Sequence, residues 1–261
     1  MNYTLNEWLN LSIRWFHVFA GIMWIGQTYF FTWLDHTLHR EGNVWMVHSG
    51  GFYVVDKQTT PQLLPKTLHW FKWEAMLTWL SGIVLFALVY YNGGIMTDES
   101  SKLHGGTAIL ASIAILVVAW FVYDLLWVSP LARNEVAGAI VSYVLLVGAI
   151  YAFTRLFTGR AAYMQTGAML GTLMVWNVWA RILPAQRQLI GAVREGQAPD
   201  MRLAEIAKQR SKQNTFMVVP VVFIMLSNHF PVATYGHAYN WLILAGLVIA
   251  GWIAAHFIRS H

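Results

Sequence analysis

Seven apolar stretches fill most of this 261-residue chain. The hydrocarbon core of a bilayer is about 30 Å thick, so a helix needs about 20 apolar residues to cross it. Because 57% of the residues are hydrophobic and only 11% are charged, the composition also departs from that of a soluble domain. The sequence therefore predicts an all-α, polytopic membrane bundle in a single domain, residues 1–261, with about seven transmembrane helices at 11–34, 68–91, 106–128, 136–157, 161–183, 215–234 and 239–258.

The basic residues predict the orientation of this bundle. Seven Lys and Arg residues lie between Arg181 and Lys212, and the positive-inside rule places them in the cytoplasm. Alternation of the spans puts the N-terminus outside and the C-terminus inside, with a long inner loop at 35–67 and an amphipathic basic segment at 184–214 on the inner surface. The net charge of +5 then indicates topology and not a nucleic-acid partner. No small-residue cleavage site follows the first span, so we expect it to be retained.

The histidines are the candidate ligands of a cofactor. The chain has no cysteine, which excludes thiolate metal sites, iron–sulfur clusters and covalent haem c. The ten histidines include an outer set, with His17 and His229 near one depth, and an inner set, with His69 and His256 near another. Imidazoles from two helices are the axial ligands that a b-type haem needs. Interfacial and loop histidines produce the same pattern, so the residues alone leave both interpretations open.

Glu74 is the carboxylate that most needs a functional explanation. A Glu inside a span is costly unless it is paired or lines a polar cavity. It follows His69, Trp70, Lys72 and Trp73, where the indoles fit an interfacial aromatic belt and the lysine fits a snorkelling side chain. In the same inner third we expect three further polar residues, Asp124, Asn177 and Arg181, the last two one helical turn apart.

Several long aromatic motifs give the chain a family resemblance. They are the run from Trp15 to Asp35 and the segments His48-Ser49-Gly50-Gly51-Phe52-Tyr53, Leu68-His69-Trp70-Phe71-Lys72-Trp73-Glu74-Ala75 and Ser227-Asn228-His229-Phe230-Pro231. In this order they resemble the N-terminal membrane domain of the bacterial cytochrome-linked, membrane-bound urate oxidase (urate hydroxylase) family. The resemblance implies a multi-pass protein of the bacterial inner (cytoplasmic) membrane that acts in purine catabolism. It also implies oxidation of urate to 5-hydroxyisourate without oxygen as the direct electron acceptor.

The chain departs from that family in two ways. Members of the family have an eighth span and a periplasmic cytochrome c domain, whereas this sequence stops just after its seventh span. We therefore expect a separate cytochrome c, or another acceptor, to receive the electrons. Ser49 also stands where the family pattern leads us to expect glycine after the loop histidine.

The resulting hypothesis is a urate site open to the inner face. Its catalytic residues are His69, Glu74 and His48, with His69 or Glu74 accepting a proton, and its substrate-binding residues are Gly50, Gly51, Phe52, Tyr53 and Arg181. A haem b would be held by His17 and His229 as iron ligands, with His256 as a further cofactor-binding residue. The expected partners are inner-membrane lipid, urate and the electron acceptor, and Gly167-x3-Gly171 is compatible with a homo-oligomer. Two alternatives remain open, namely a non-catalytic haem b subunit of a larger redox complex and a haem-free structural or transport protein.

Overall fold

The computed structural model describes residues 3–60, 64–99 and 101–260, which form a bundle of long helices with one small hairpin. The prediction of an all-α fold is confirmed. The elements are α1 (Tyr3–Glu41), β1 (Asn43–His48), β2 (Gly51–Asp56), α2 (Trp73–Phe86), α3 (Gly105–Val128), α4 (Glu135–Leu156), α5 (Gly159–Trp176), α6 (Leu183–Arg194), α7 (Met201–Ser227) and α8 (Asn240–Ser260), with a short 3₁₀ turn (Pro130–Arg133) between α3 and α4.

Two helices contain π-helical segments. The first segment (Ala87–Tyr91) continues α2, and the second (Asn177–Ile182) joins α5 to α6 without a break. Pro184 lies in the first turn of α6 and has no amide hydrogen to donate to the preceding turn. Widening of the backbone just before this proline accommodates the missing bond and the bulk of its ring.

Helix α5 lies at the centre of the bundle, in contact with α3, α4 and α7. Twelve of its 18 residues are buried, including the polar Gln165 and Thr166. Gly167 allows the close approach of α7, since a Cβ there would lie 3.0 Å from the Ile224 side chain. The Gly167-x3-Gly171 motif thus contributes to packing inside the bundle through its first glycine.

The last turns of α1 carry the hairpin. A helix of 39 residues is about 58 Å long, well beyond the thickness of the hydrocarbon core. Strands β1 and β2 pair in an antiparallel register, and Val44 packs against Leu34 and Leu38 near the end of α1. The sequence predicted only a connection at 35–67, of which residues 61–63 lie outside the described part. Helix α1 and the hairpin occupy most of that connection.

The hairpin turn explains why glycine is expected at the position of Ser49. Ser49 and Gly50 form its two-residue loop, and both have positive φ, 50° and 77°. Tight turns between antiparallel strands require such backbone angles, which glycine adopts without steric cost and most other residues do not. A glycine in place of Ser49 would suit this turn better, and the turn gives the physical reason for the glycine expected there.

Four helices in the described part of the chain are long and apolar enough to cross a membrane. They are α2 with its π-helical continuation (Trp73–Tyr91), α3, α4 and α8. Helices α5 and α7 are less apolar because they contain polar residues such as Gln165 and Asn214. These side chains are buried against neighbouring helices. The structure therefore indicates a membrane protein, although fewer helices meet this standard than the seven predicted.

We define the basic end as one end of the bundle. It holds the start of α2, the ends of α3 and α8, and the second π-helical segment. The predicted surface segment 184–214 lies there, but it is not one helix. It comprises α6, a short connection and the first half of α7, and α7 continues directly into the bundle. Arg210 and Asn214 of this segment are buried. The segment is therefore an integral part of the bundle, packed through both α6 and α7.

Candidate functional site at the basic end

Three indoles and one ammonium group meet where α2 begins. We define the tryptophan cluster as Trp70, Trp73, Trp179 and Lys72. The rings of Trp73 and Trp179 pack edge to face with their centroids 5.7 Å apart. The Nζ atom of Lys72 lies 6.0, 5.5 and 5.7 Å from the ring centroids of Trp70, Trp73 and Trp179. The cluster thus combines flat aromatic surfaces with a cation that has several indole faces within reach.

Two polar atoms beside this cluster are buried without a hydrogen-bond partner among the described residues. They are Oε2 of Glu74, the residue after Trp73, and Nε1 of Trp179. One is an acceptor and the other a donor, and they do not bond to each other. Buried polar groups in proteins are nearly always paired, so unpaired ones need an explanation such as a bound ligand or water. An unpaired acceptor in α2 and an unpaired donor in the second π-helical segment are therefore candidate contacts for a small molecule.

A second polar cluster surrounds Asp124 near the end of α3. We define the arginine cluster as Asp124, Arg181 and Arg210. Arg181 donates from Nε to Oδ1 of Asp124 at 2.8 Å and from Nη2 to Oδ2, which makes a two-pronged ion pair. Arg210 donates from Nη2 to the same Oδ1 at 2.8 Å. Two guanidinium groups therefore share one carboxylate.

A buried hydrogen-bond network extends the arginine cluster into the core. Arg210 donates to Oδ1 of Asn177 at 3.3 Å, and Nδ2 of Asn177 donates to the Tyr123 hydroxyl and to Asn214, both at 2.9 Å. The Tyr123 hydroxyl donates in turn to Gln213. The guanidinium of Arg210 also lies 5.2 Å from the Tyr123 ring centroid. This network ties together α3, the second π-helical segment and α7.

The structure separates two residues that the sequence hypothesis combined. Arg181 pairs with Asp124 on α3, whereas Glu74 lies beside Trp73, the partner of Trp179 on α2. Residues two apart in a helix face different sides, and Trp179 and Arg181 contact different neighbouring helices. Arg181 therefore belongs to the arginine cluster, and no ion pair joins it to Glu74 among the described residues.

The other expected urate residues lie nearer the surface. His69 is exposed, and its ring lies 4.5 Å from that of Phe71. Phe71 contacts Phe31 of α1, so His69 is at the junction of α1 and α2. His48 and the Gly50–Tyr53 segment lie at the turn of the hairpin, which packs on α1, and Phe52 is 78% exposed.

His17 has the environment of a metal-binding imidazole. Its Nδ1 lies 2.9 Å from the Thr78 carbonyl oxygen and 3.0 Å from the Ser81 hydroxyl, which itself donates to the Leu77 carbonyl. Nδ1 is therefore the protonated nitrogen, and Nε2 has no hydrogen-bond partner among the described residues. A backbone carbonyl that fixes the ring in this way is typical of histidine ligands. Nε2 is therefore the atom through which His17 could hold a metal.

The other two expected cofactor histidines are exposed. His229 lies in the turn after α7, where its amide donates to the Leu226 carbonyl at 3.1 Å, and His256 lies in the last turns of α8. No described contact joins either of them to His17. Within the described ranges, no three or more His, Asp or Glu side chains gather in a group that could hold a metal ion.

Of the seven residues in the two clusters, the sequence hypothesis included only Arg181. Lys72 and Trp179 were not candidates, because interfacial lysines and tryptophans are common in membrane proteins. Arg210 was counted only as a topology charge, although it is 1% exposed. Its position one helical turn before Asn214, matching the Asn177–Arg181 spacing, was the one available signal.

The long apolar helices and the polar clusters buried at one end define a helical membrane protein. In a comparison with protein families, the family model described as urate oxidase N-terminal matches residues 3–261 of this chain. The chain belongs to this family, so the predicted resemblance is confirmed. A search of curated proteins and a search of solved structures each found no match.

Proposed function

We propose that this protein is a membrane-bound oxidoreductase that converts urate to 5-hydroxyisourate. The balanced half-reaction takes one urate and one water and yields one 5-hydroxyisourate, two protons and two electrons. The electrons pass to a separate acceptor of the cytochrome c type. Membership of the urate oxidase N-terminal family supports a function related to urate oxidation.

The observation that carries this proposal is the pair of unpartnered atoms beside the tryptophan cluster. Urate is a planar purine that is anionic at neutral pH, with N–H donors and carbonyl acceptors around its edge. Oε2 of Glu74 can accept from a ring N–H, and Nε1 of Trp179 can donate to a carbonyl. The indoles offer stacking surfaces and Lys72 a compensating charge. These residues therefore supply the charge, the aromatic surface and the hydrogen-bonding groups that urate requires.

In the proposed mechanism, Glu74 acts as the general base. Its carboxylate accepts a ring proton of urate as the electrons leave, which prevents positive charge from accumulating on the purine. Water then adds at the oxidised carbon and loses the second proton. His69 is the alternative proton acceptor, since it precedes the cluster in the chain. The mechanism does not depend on Arg181, His48 or the Gly50–Tyr53 turn.

A haem b is proposed as the cofactor, and it would supply one-electron transfer between urate and the external acceptor. His17 would hold its iron through Nε2, because Nδ1 is engaged by α2. His229 and His256 are the proposed candidates for a second residue that would hold the haem. The role of α2 in this arrangement is to fix the imidazole, through Thr78, in the protonation state that leaves a lone pair for iron.

We also propose that all seven predicted spans cross the membrane, with the basic end in the cytoplasm. Helices α1, α5 and α7 have 39, 18 and 27 residues, and α5 and α7 pack at the centre of the bundle. Arg181, Arg187, Arg194 and Arg202 all lie towards the basic end, as the positive-inside rule requires of a cytoplasmic face. Localisation in a bacterial inner membrane follows from this arrangement and the family.

The test compares urate binding and urate oxidation in two variants of the purified protein. Trp179→Phe removes the indole N–H but keeps an aromatic ring, and we expect about a tenfold loss of urate affinity, measured by quenching of tryptophan fluorescence. Glu74→Gln keeps the shape but not the base, and we expect turnover to fall about 10²- to 10⁴-fold. Trp45→Phe, on the exposed hairpin face, is the matched control. Equal affinity and turnover in all three variants would contradict the proposed site.

The second candidate function is that of a haem b subunit that relays electrons without binding urate. The carbonyl-anchored imidazole of His17 favours it, because this feature serves electron transfer with or without a substrate site. A protein with this function would show a haem spectrum in its purified state but no change on addition of urate. A haem-free structural or transport protein would show neither.

A further inference from the structure

We propose that the arginine cluster is a binding site for a phosphate group, separate from the tryptophan cluster. The proposal does not rest on urate oxidation. It rests on the charges and hydrogen bonds at the junction of α3, the second π-helical segment and α7.

The first observation is an imbalance of charge. Asp124 is the single carboxylate that the guanidinium groups of Arg181 and Arg210 contact in the described part of the chain. The Arg210 side chain is 2% exposed and that of Asp124 is 13% exposed, so this charge lies in a poorly solvated environment. An excess positive charge there is costly unless an anion compensates it. The nearby Lys212–Glu135 ion pair is already balanced and does not supply that anion.

The second observation is an unpartnered donor in the same network. Gln213 accepts the Tyr123 hydroxyl through Oε1, while its Nε2 is buried without a partner among the described residues. Arg181 uses Nε and Nη2 for Asp124, and its Nη1 has no hydrogen bond with any described residue. The site thus lacks both negative charge and hydrogen-bond acceptors, and an oxyanion supplies both.

The third observation is the position of Arg181 at the edge of the cluster. Its side chain is 37% exposed, while that of Arg210 is almost fully buried behind it. Arg181 can therefore contact an anion that arrives from outside the bundle, with Arg210 contributing charge from within. Asp124 engages Nε and Nη2 of Arg181, which leaves Nη1 for a further acceptor. A phosphate group, with several acceptor oxygens and a full negative charge, fits such an edge.

At the basic end of a membrane bundle, a phosphate group has two sources. One is the headgroup of an anionic phospholipid, which basic pockets between transmembrane helices bind. The other is inorganic phosphate or a phosphorylated metabolite from solution. Both present the same chemistry to Arg181, and the experiment distinguishes them by the probe that is effective.

The test measures the melting temperature of the purified full-length chain in a neutral detergent. Inorganic phosphate is titrated at constant ionic strength against chloride, and phosphatidylglycerol is titrated against phosphatidylcholine in a second series. We expect at least one of the two phosphate probes to raise the melting temperature in a saturable manner. We expect Arg181→Gln to weaken the apparent affinity about tenfold or more, because a charge-assisted contact is lost.

The control is Arg202→Gln, which removes a basic residue whose side chain is 85% exposed. It should keep the wild-type affinity for the effective probe. Saturation by phosphate identifies a soluble ligand, and saturation by phosphatidylglycerol alone identifies a lipid. The proposal is overturned if neither probe acts beyond its ionic-strength control, or if Arg181→Gln and Arg202→Gln respond alike. A loss of basal stability in Arg181→Gln does not obscure the result, because affinity is measured relative to each variant's own ligand-free melting temperature.

Discussion

Replacement of Gly82 by alanine tests how α2 positions His17. A Cβ atom at Gly82 would lie 2.9 Å from Cε1 and 3.4 Å from Nδ1 of His17. Carbon atoms in contact are normally at least about 3.5 Å apart, so the methyl group would overlap the imidazole by about 0.6 Å. Since α2 is packed along α1, we expect the ring and not the helix to move. The Nδ1 hydrogen bond to the Thr78 carbonyl would then break.

The expected cost of Gly82→Ala follows from three terms. Overpacking costs about 1–3 kcal/mol and the lost hydrogen bond about 1 kcal/mol, while alanine gains about 1 kcal/mol over glycine in a helix. The net destabilisation is therefore about 1–3 kcal/mol. Gly171→Ala in α5 is the matched control, because a Cβ atom there would have nothing within 4 Å and only the helical gain applies.

The assay is the unfolding midpoint of both variants in detergent, together with the haem absorbance per mole of protein. We expect Gly82→Ala to melt at a lower temperature than the wild type and to lose haem, whereas Gly171→Ala melts at the same or a higher temperature. If the two variants behave alike in both measurements, contact between Gly82 and His17 does not position the imidazole, and the argument for His17 as a ligand is refuted.

Two further predictions concern the bundle itself. Asp124→Asn leaves the buried guanidinium of Arg210 without its carboxylate and should lower the free energy of unfolding by about 3–5 kcal/mol. The control is Asp200→Asn, in an exposed ion pair, which should leave the melting temperature unchanged. Equal effects of the two substitutions would contradict the importance of burial. Gly251→Ala places a Cβ 2.9 Å from Cδ of Pro220 and should destabilise the contact of α7 with α8 by about 1–3 kcal/mol. Its control, Gly246→Ala, meets nothing within 4 Å, so a similar loss there would refute the packing argument.

The sequence predicted the helices well because membrane spans have a strong signal. Long apolar stretches locate α2, α3, α4 and α8 closely, and polar residues inside them, such as Glu74 and Asp124, mark the end of the bundle where the polar clusters lie. The hairpin after α1 was missed for a physical reason. Its strands are short, only one face is buried, and the glycines at its turn are equally typical of a loop.

The composition of the polar clusters could not be predicted from spacing. Trp179 contacts Trp73 of α2 and Arg181 pairs with Asp124 of α3, but a spacing of two residues does not indicate which helices lie on those two sides of the segment. The burial of Arg210 depends on tertiary packing, since α7 passes through the basic end before it becomes apolar. Local sequence carries little information about such long-range contacts. It does place the polar residues Glu74 and Arg181 near the basic end of the bundle.

The most direct test of the proposed function is anaerobic turnover of urate by the purified, haem-replete protein with oxidised cytochrome c as acceptor. We expect urate absorbance to fall while two molecules of cytochrome c are reduced for each urate consumed, and we expect Glu74→Gln to slow both changes together. Unchanged urate in the presence of intact protein, bound haem and excess acceptor would contradict the assignment of urate as the substrate.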